Sequence, residues 1–135
     1  MKSRVTLKEN MHFVGELEGF EVPIEASAKH GGTGKGPQPK AYTLTSLAGC
    51  TALDVISLLR KMRAEPAAFW VEAEAELSDE IPKVFTKITI TYGFKGGAVT
   101  REKAEKAIQL SQEKYCGVSA MLRQIAPIDW RIVID

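Results

Sequence analysis

Cysteine and histidine are scarce in this chain: two of each, Cys50, Cys116, His12 and His30. So few thiols exclude a disulfide framework, and a chain of 135 residues can bury a core without such staples. The four residues are spread too far apart to spell a zinc knuckle, so no metal site is expected. Neither sign of charge prevails. With 18 Lys and Arg against 17 Asp and Glu, the formal net charge of +1 gives no sign of nucleic-acid binding or membrane adhesion. The opening Met1-Lys2-Ser3-Arg4-Val5-Thr6-Leu7-Lys8-Glu9 lacks the apolar run of a leader, and no later stretch reads as a membrane span of roughly 20 apolar residues. A cytoplasmic protein with both thiols reduced is the expectation.

What is there describes one domain over residues 1–135, 44% hydrophobic. Up to about Ala28, Val5 and Leu7, then Met11 and Phe13, then Phe20, Val22 and Ile24 recur every second position, as in a small antiparallel meander. Asn10 and Gly19 mark its turns, and Pro23 suits an edge. Residues 29–40, rich in Gly and Pro, read as a flexible linker. From about Ala41 to Arg63 apolar residues occupy nearly every face of a helix, which predicts a buried central helix ended by cations and Pro66. Phe69 to Leu77 and Val84 to Phe94 alternate as a hairpin, and Thr100 is placed to cap a helix. Gly117 should break that helix just after Cys116, with a short helical piece and a strand from Ile128 to Ile134 following. The order predicts an α+β fold with a mostly antiparallel sheet. A sheet on one side cannot cover a helix that is apolar all round. A second copy of the chain is therefore expected to cover it, giving a homodimer.

Few residues offer chemistry. Gly31 to Gly36 fits neither nucleotide-binding glycine pattern, and Pro37 and Pro39 separate it from the helix. Glu72, Glu74 and Glu76 share one face of a strand by their period of two, so a solvated face is the simpler reading. Asp54, one turn after Cys50, is expected to bind a basic side chain or a backbone group. The two thiols stay open between reactive pair and small buried hydrophobes, since free cysteine often serves as the latter.

Flanking blocks narrow this choice. Pro39 followed by Gly49-Cys50-Thr51-Ala52-Leu53-Asp54-Val55-Ile56, then Pro82-Lys83-Val84-Phe85-Thr86, and finally Leu110 through Cys116-Gly117-Val118-Ser119-Ala120-Met121-Leu122 resemble the OsmC/Ohr family. These are the osmotically inducible and organic hydroperoxide resistance proteins, and the likeness is strongest to the YhfA-like branch. The resemblance implies an α+β intertwined dimer, mostly antiparallel sheets wrapped around central cysteine-bearing helices, with active sites at the dimer interface. It implies Cys50 as the peroxidatic residue attacking an organic hydroperoxide, Cys116 as the resolving residue, a dithiol reductant and no cofactor. An apolar substrate pocket is expected around Leu47 and Leu53. Peroxidatic relatives carry an activating glutamate in a Pro-Met-Glu-Leu or Pro-Glu-Glu-Leu stretch, where this chain has Pro39-Lys40-Ala41-Tyr42. Lys40 and Lys8 are then the cations available to favour a thiolate. A non-catalytic binding protein for a small apolar ligand is the alternative reading.

Overall fold

The computed structural model describes residues 1–135 and divides into two compact units, Met1–Thr43 and Leu44–Asp135. In the first unit β1 (Ser3–Glu9), β2 (His12–Leu17) and β3 (Phe20–Glu25) form an antiparallel meander in that order. Its turns fall where expected, with positive φ at Asn10, Glu18 and Gly19, and Pro23 lies on the edge strand β3. Only Gly15 and Glu25 are buried in this unit, while Val5, Leu7 and Phe20 are exposed, Phe20 at 74%.

Residues 29–40 differ from the flexible linker that their composition predicts. A 3-10 turn spans Ala28–His30, the Gly32 amide donates to the Ser27 carbonyl, and the Glu25 amide donates to the Pro37 carbonyl. The loop closes over the Glu25 carboxylate, which is 1% exposed and accepts from the amides of Thr33 and Lys35 and from the Thr33 hydroxyl, at 2.8 to 3.0 Å. Successive backbone N–H groups converging on one anion form a nest. The anion is the chain's own carboxylate, and these donors, led by the Lys35 amide, hold Glu25 below the ordinary carboxyl pKa.

α1 runs Pro39–Lys61, beginning at a proline that the first turn of a helix tolerates. Arg60 and Lys61 occupy its last turn, as the dipole favours, and Arg63 already adopts φ 55 ahead of Pro66. The expectation of a helix buried on every side is corrected within the chain. Leu47, Thr51, Val55 and Leu59, four residues apart along one stripe, are the buried residues of α1, and Leu53 on another face is 72% exposed. By length and composition α1 is also enough to cross a bilayer, contrary to the expectation of no such stretch, because few charges interrupt its aliphatic residues and alanines. Only 22% of that apolar window is buried, and α1 is hydrogen-bonded into the second unit through Thr51 and Asp54.

All of the buried hydrophobic core belongs to the second unit. β4 (Ala68–Leu77) pairs antiparallel with the central strand β5 (Phe85–Lys95), and β6 (Ile128–Ile134) pairs with β5 in parallel. Ile88, Ile90, Tyr92 and Phe94 line one face of β5 and meet Val55 and Leu59 from α1 and Ala104, Ala107 and Ile108 from α2 (Arg101–Leu110) in one core. Thr100 caps α2 by accepting from the Lys103 amide. The helix then widens into a single π turn, Ser111–Tyr115, before α3 (Gly117–Arg123). Such π turns recur at functional sites. Glu72, Glu74 and Glu76 are exposed on the outer face of β4, as the period of two predicts.

Candidate active site

The break at Gly117 falls where the sequence places it and leaves Cys116 as the N-cap of α3, in extended conformation at φ −75, ψ 100. Its amide donates to the Ser111 carbonyl at 2.7 Å across the π turn. Both thiols are free; Cys50 is half-buried on α1 and Cys116 is 3% exposed. Although far apart in the chain, the Cys50 side chain is near enough to Cys116 to act on its thiol. Burial pushes the Cys116 thiol pKa up, the Ser119 hydroxyl and amide pull it down, and Cys50 raises it again. The Ser119 contacts are 3.0 Å from Oγ and 3.3 Å from N to the Cys116 sulfur.

Behind the thiols runs a buried polar network of residues that periodicity alone assigns to packing. Tyr92 Oη and Ser111 Oγ each lie 2.7 Å from Thr51 Oγ1, and Ser111 Oγ donates to Asp54 Oδ2 at 2.9 Å. Gln112 Nε2 lies 3.2 Å from Thr51 Oγ1 and 3.1 Å from Tyr92 Oη, while Arg123 donates to both the carbonyl and Oε1 of Gln112. Each hydroxyl has one proton, so the directions follow. Ser111 gives its proton to the Asp54 carboxylate and must accept from Thr51; Thr51 then accepts from Tyr92 and Gln112. Arg123 fixes which way the Gln112 amide faces. A donor chain therefore leads from a guanidinium to a carboxylate, every member satisfied. Burial, foremost, pushes the Tyr92 phenol up to about 12, so it stays a donor.

The expected partner of Asp54 is thereby corrected. A hydroxyl, Ser111, meets it rather than a basic side chain, because Arg123 is engaged with Gln112. Only the Ser-Gln pair just ahead of Cys116 signals this network in the sequence, and at helical spacing it reads as polar surface. Thr51→Val leaves the Tyr92 proton and the Ser111 lone pairs short of a partner and is expected to cost about 1–3 kcal/mol. Tyr92→Phe added to it should cost less than Tyr92→Phe alone. A double-mutant cycle by denaturant unfolding measures this, and strictly additive costs would show that the network carries no coupling.

Of the remaining sequence candidates, Leu47 is closed into the core and Leu53 is exposed, so they lie on different faces of α1. Lys40 and Lys8 are exposed residues of the first unit, whereas both cysteines belong to the second. No group of three or more His, Cys, Asp or Glu side chains comes together as a metal site.

The α+β fold is that of a recognised protein class. The chain belongs to the OsmC-like family, whose profile, described as OsmC-like protein, matches residues 32–131. It is 32% identical over 129 residues to Protein YhfA of Escherichia coli K12, covering 95% of this chain and 93% of that protein. Among solved structures, a hypothetical protein from Aquifex aeolicus superposes with a TM-score of 0.83 at 25% identity, over 99% of this chain and 96% of the other. An organic hydroperoxide resistance protein OsmC from Legionella pneumophila shares the fold with a TM-score of 0.70 at 14% identity, over 98% and 95% of the two chains.

Proposed function

We propose that this protein is a thiol-dependent peroxidase that reduces organic hydroperoxides, with Cys50 as the peroxidatic and Cys116 as the resolving residue. The observation that carries the reading is the nearness of two free thiols, one half-buried and one buried, with Cys50 close enough to act on the Cys116 thiol. Cys50 thiolate attacks the terminal oxygen of the hydroperoxide, the O–O bond breaks, and the alcohol leaves with a proton. Cys50 becomes a sulfenic acid. Cys116 then condenses with it to a disulfide and water, before a second oxidation reaches the irreversible sulfinic state, and a dithiol reductant restores both thiols.

The reading places the protein in the cytoplasm, where thiols are kept reduced, as a homodimer whose second copy covers the apolar face of α1. Leu53 is the pocket residue open to a hydroperoxide carbon chain on that face, with Leu47 behind it in the core. Neither a metal nor an organic cofactor is required.

Purified protein given cumene hydroperoxide and a dithiol is expected to consume the peroxide. One equivalent of peroxide without reductant should lower the intact mass by two hydrogens through a bridge between Cys50 and Cys116. The upward push of burial on the Cys116 thiol favours a second reading, a non-catalytic protein that binds a small apolar ligand. Thiols inert to peroxide in protein that retains an apolar ligand would establish that reading instead.

A further inference from the structure

Ser119 is fully buried, and its hydroxyl hydrogen-bonds to the sulfur of Cys116. This is an unusual use of a buried hydroxyl. A neutral thiol is a weak acceptor, and a serine on a helix more often bonds to a backbone carbonyl in the preceding turn. The same contact becomes a charge-assisted bond, roughly twice as strong, once the sulfur carries negative charge. The Ser119 amide reaches the same sulfur, so two donors converge on it from one residue. Cys116 is meanwhile pinned from its backbone by the Ser111 carbonyl, and Ser111 is tied in turn to Thr51 and Asp54 on the helix that carries Cys50.

We propose that Ser119 is a positioning residue for the resolving half-reaction, its hydroxyl and amide aiming the Cys116 sulfur at Cys50 and stabilising it as a thiolate during attack. The inference rests on the peroxidase reading of the two cysteines. In the step concerned, Cys116 gives up its proton and its sulfur attacks the sulfur of the Cys50 sulfenic acid. The S–S bond forms, the S–O bond breaks, and the departing hydroxide takes up the proton as water. The oxidant is the organic hydroperoxide that made the sulfenic acid, and Cys116 is the reductant. Ser119 loses no atom and changes no oxidation state, acting through hydrogen bonds that strengthen as charge builds on Cys116.

Ser119→Ala, Ser119→Thr and the parent protein are to be compared at one equivalent of cumene hydroperoxide without reductant, following intact mass against time and pH. In Ser119→Ala, Cys50 should oxidise at the parent rate, while disulfide formation slows about tenfold at neutral pH and its pH profile moves about one unit upward. Sulfenic Cys50 should persist for longer as a result, and a second equivalent of peroxide should carry more of it to the sulfinic state than in the parent. Ser119→Thr, which keeps the hydroxyl, should restore the parent profile. Disulfide formation in Ser119→Ala with the parent rate and pH profile overturns the proposal and leaves the peroxidase reading standing. A parent protein that forms no disulfide overturns both.

If Ser119→Ala fails to fold, thiolate absorbance titrations of Cys50→Ser and of Cys50→Ser with Ser119→Thr decide the matter. Equal titrations of Cys116 in these two support the assignment to the hydroxyl. A Cys116 titration displaced upward in the threonine variant overturns it.

Discussion

Cys50→Ser protein mixed with cumene hydroperoxide and a dithiol is expected to consume no more peroxide than the buffer does, whereas Cys116→Ser protein should consume one equivalent to reach the sulfenic acid, another to reach the sulfinic state, and then stall. The difference follows from the separate tasks of the two sulfurs. A serine hydroxyl in place of Cys50 is not ionised near neutral pH and has no neighbouring base to activate it, since Asp54 is engaged by Ser111, so the first oxygen transfer is lost outright. With Cys50 intact and Cys116 replaced, oxygen transfer still takes place but no thiol traps the sulfenic acid. A further equivalent of peroxide then drives it to the sulfinic state, which a dithiol does not reverse. The mass spectra should differ accordingly: unmodified protein in the first variant, protein carrying added oxygen in the second, and two hydrogens lost in the parent. Undiminished turnover by Cys50→Ser would sink the assignment of Cys50. Turnover by Cys116→Ser equal to that of the parent would show that the external dithiol resolves the intermediate itself.

Elements whose pattern is dictated by neighbours along the chain were legible in the sequence, and features that depend on contacts across the fold were not. The hairpin from β4 to β5 follows from alternation, and the break that turns Cys116 into a cap follows from Gly117. The resemblance named the cysteine pair; the structure brings the two side chains together. The parallel pairing of β6 with β5 is invisible locally, because a strand's own period is the same in either direction. Thr51 illustrates the limit most directly. At helical spacing it counts as one more core position, and it is fully buried as such, yet its hydroxyl joins Tyr92, Ser111 and Gln112. A threonine's two characters, methyl and hydroxyl, are equally present in the sequence, and only the positions of residues far away in the chain decide which one matters. Ser119 is similar: its distance of three residues from Cys116 fits a capping contact, but a thiol in the capping role is too weak an acceptor to be anticipated.

Gly32→Ala is expected to destabilise the first unit by roughly 3 kcal/mol or more, while Gly34→Ala two residues away should cost only about 1 kcal/mol. The contrast arises because the glycines between His30 and Pro37 serve different purposes, which a reading of the segment as linker cannot distinguish. Gly34 holds φ +80, a left-handed conformation that strains an alanine, but a Cβ there would meet nothing within 4 Å. At Gly32 a Cβ would stand 1.8 Å from the Ala26 carbonyl oxygen and 2.9 Å from its carbon, both backbone atoms. Neither side of this contact is free to give way. Gly32 is held by its amide bond to the Ser27 carbonyl, and the residues after it are held by the Glu25 carboxylate through Thr33 and Lys35. Relief of the clash requires the nest to open, which leaves a buried carboxylate without its donors. Amide exchange at Thr33 and Lys35 should therefore quicken in Gly32→Ala and stay slow in Gly34→Ala, alongside the difference in denaturant midpoint. Equal stability and equal protection in the two variants would return residues 29–40 to the status of a flexible connection. The predicted inequality would establish them as a built element whose glycines let one stretch of backbone wrap another around a single charge.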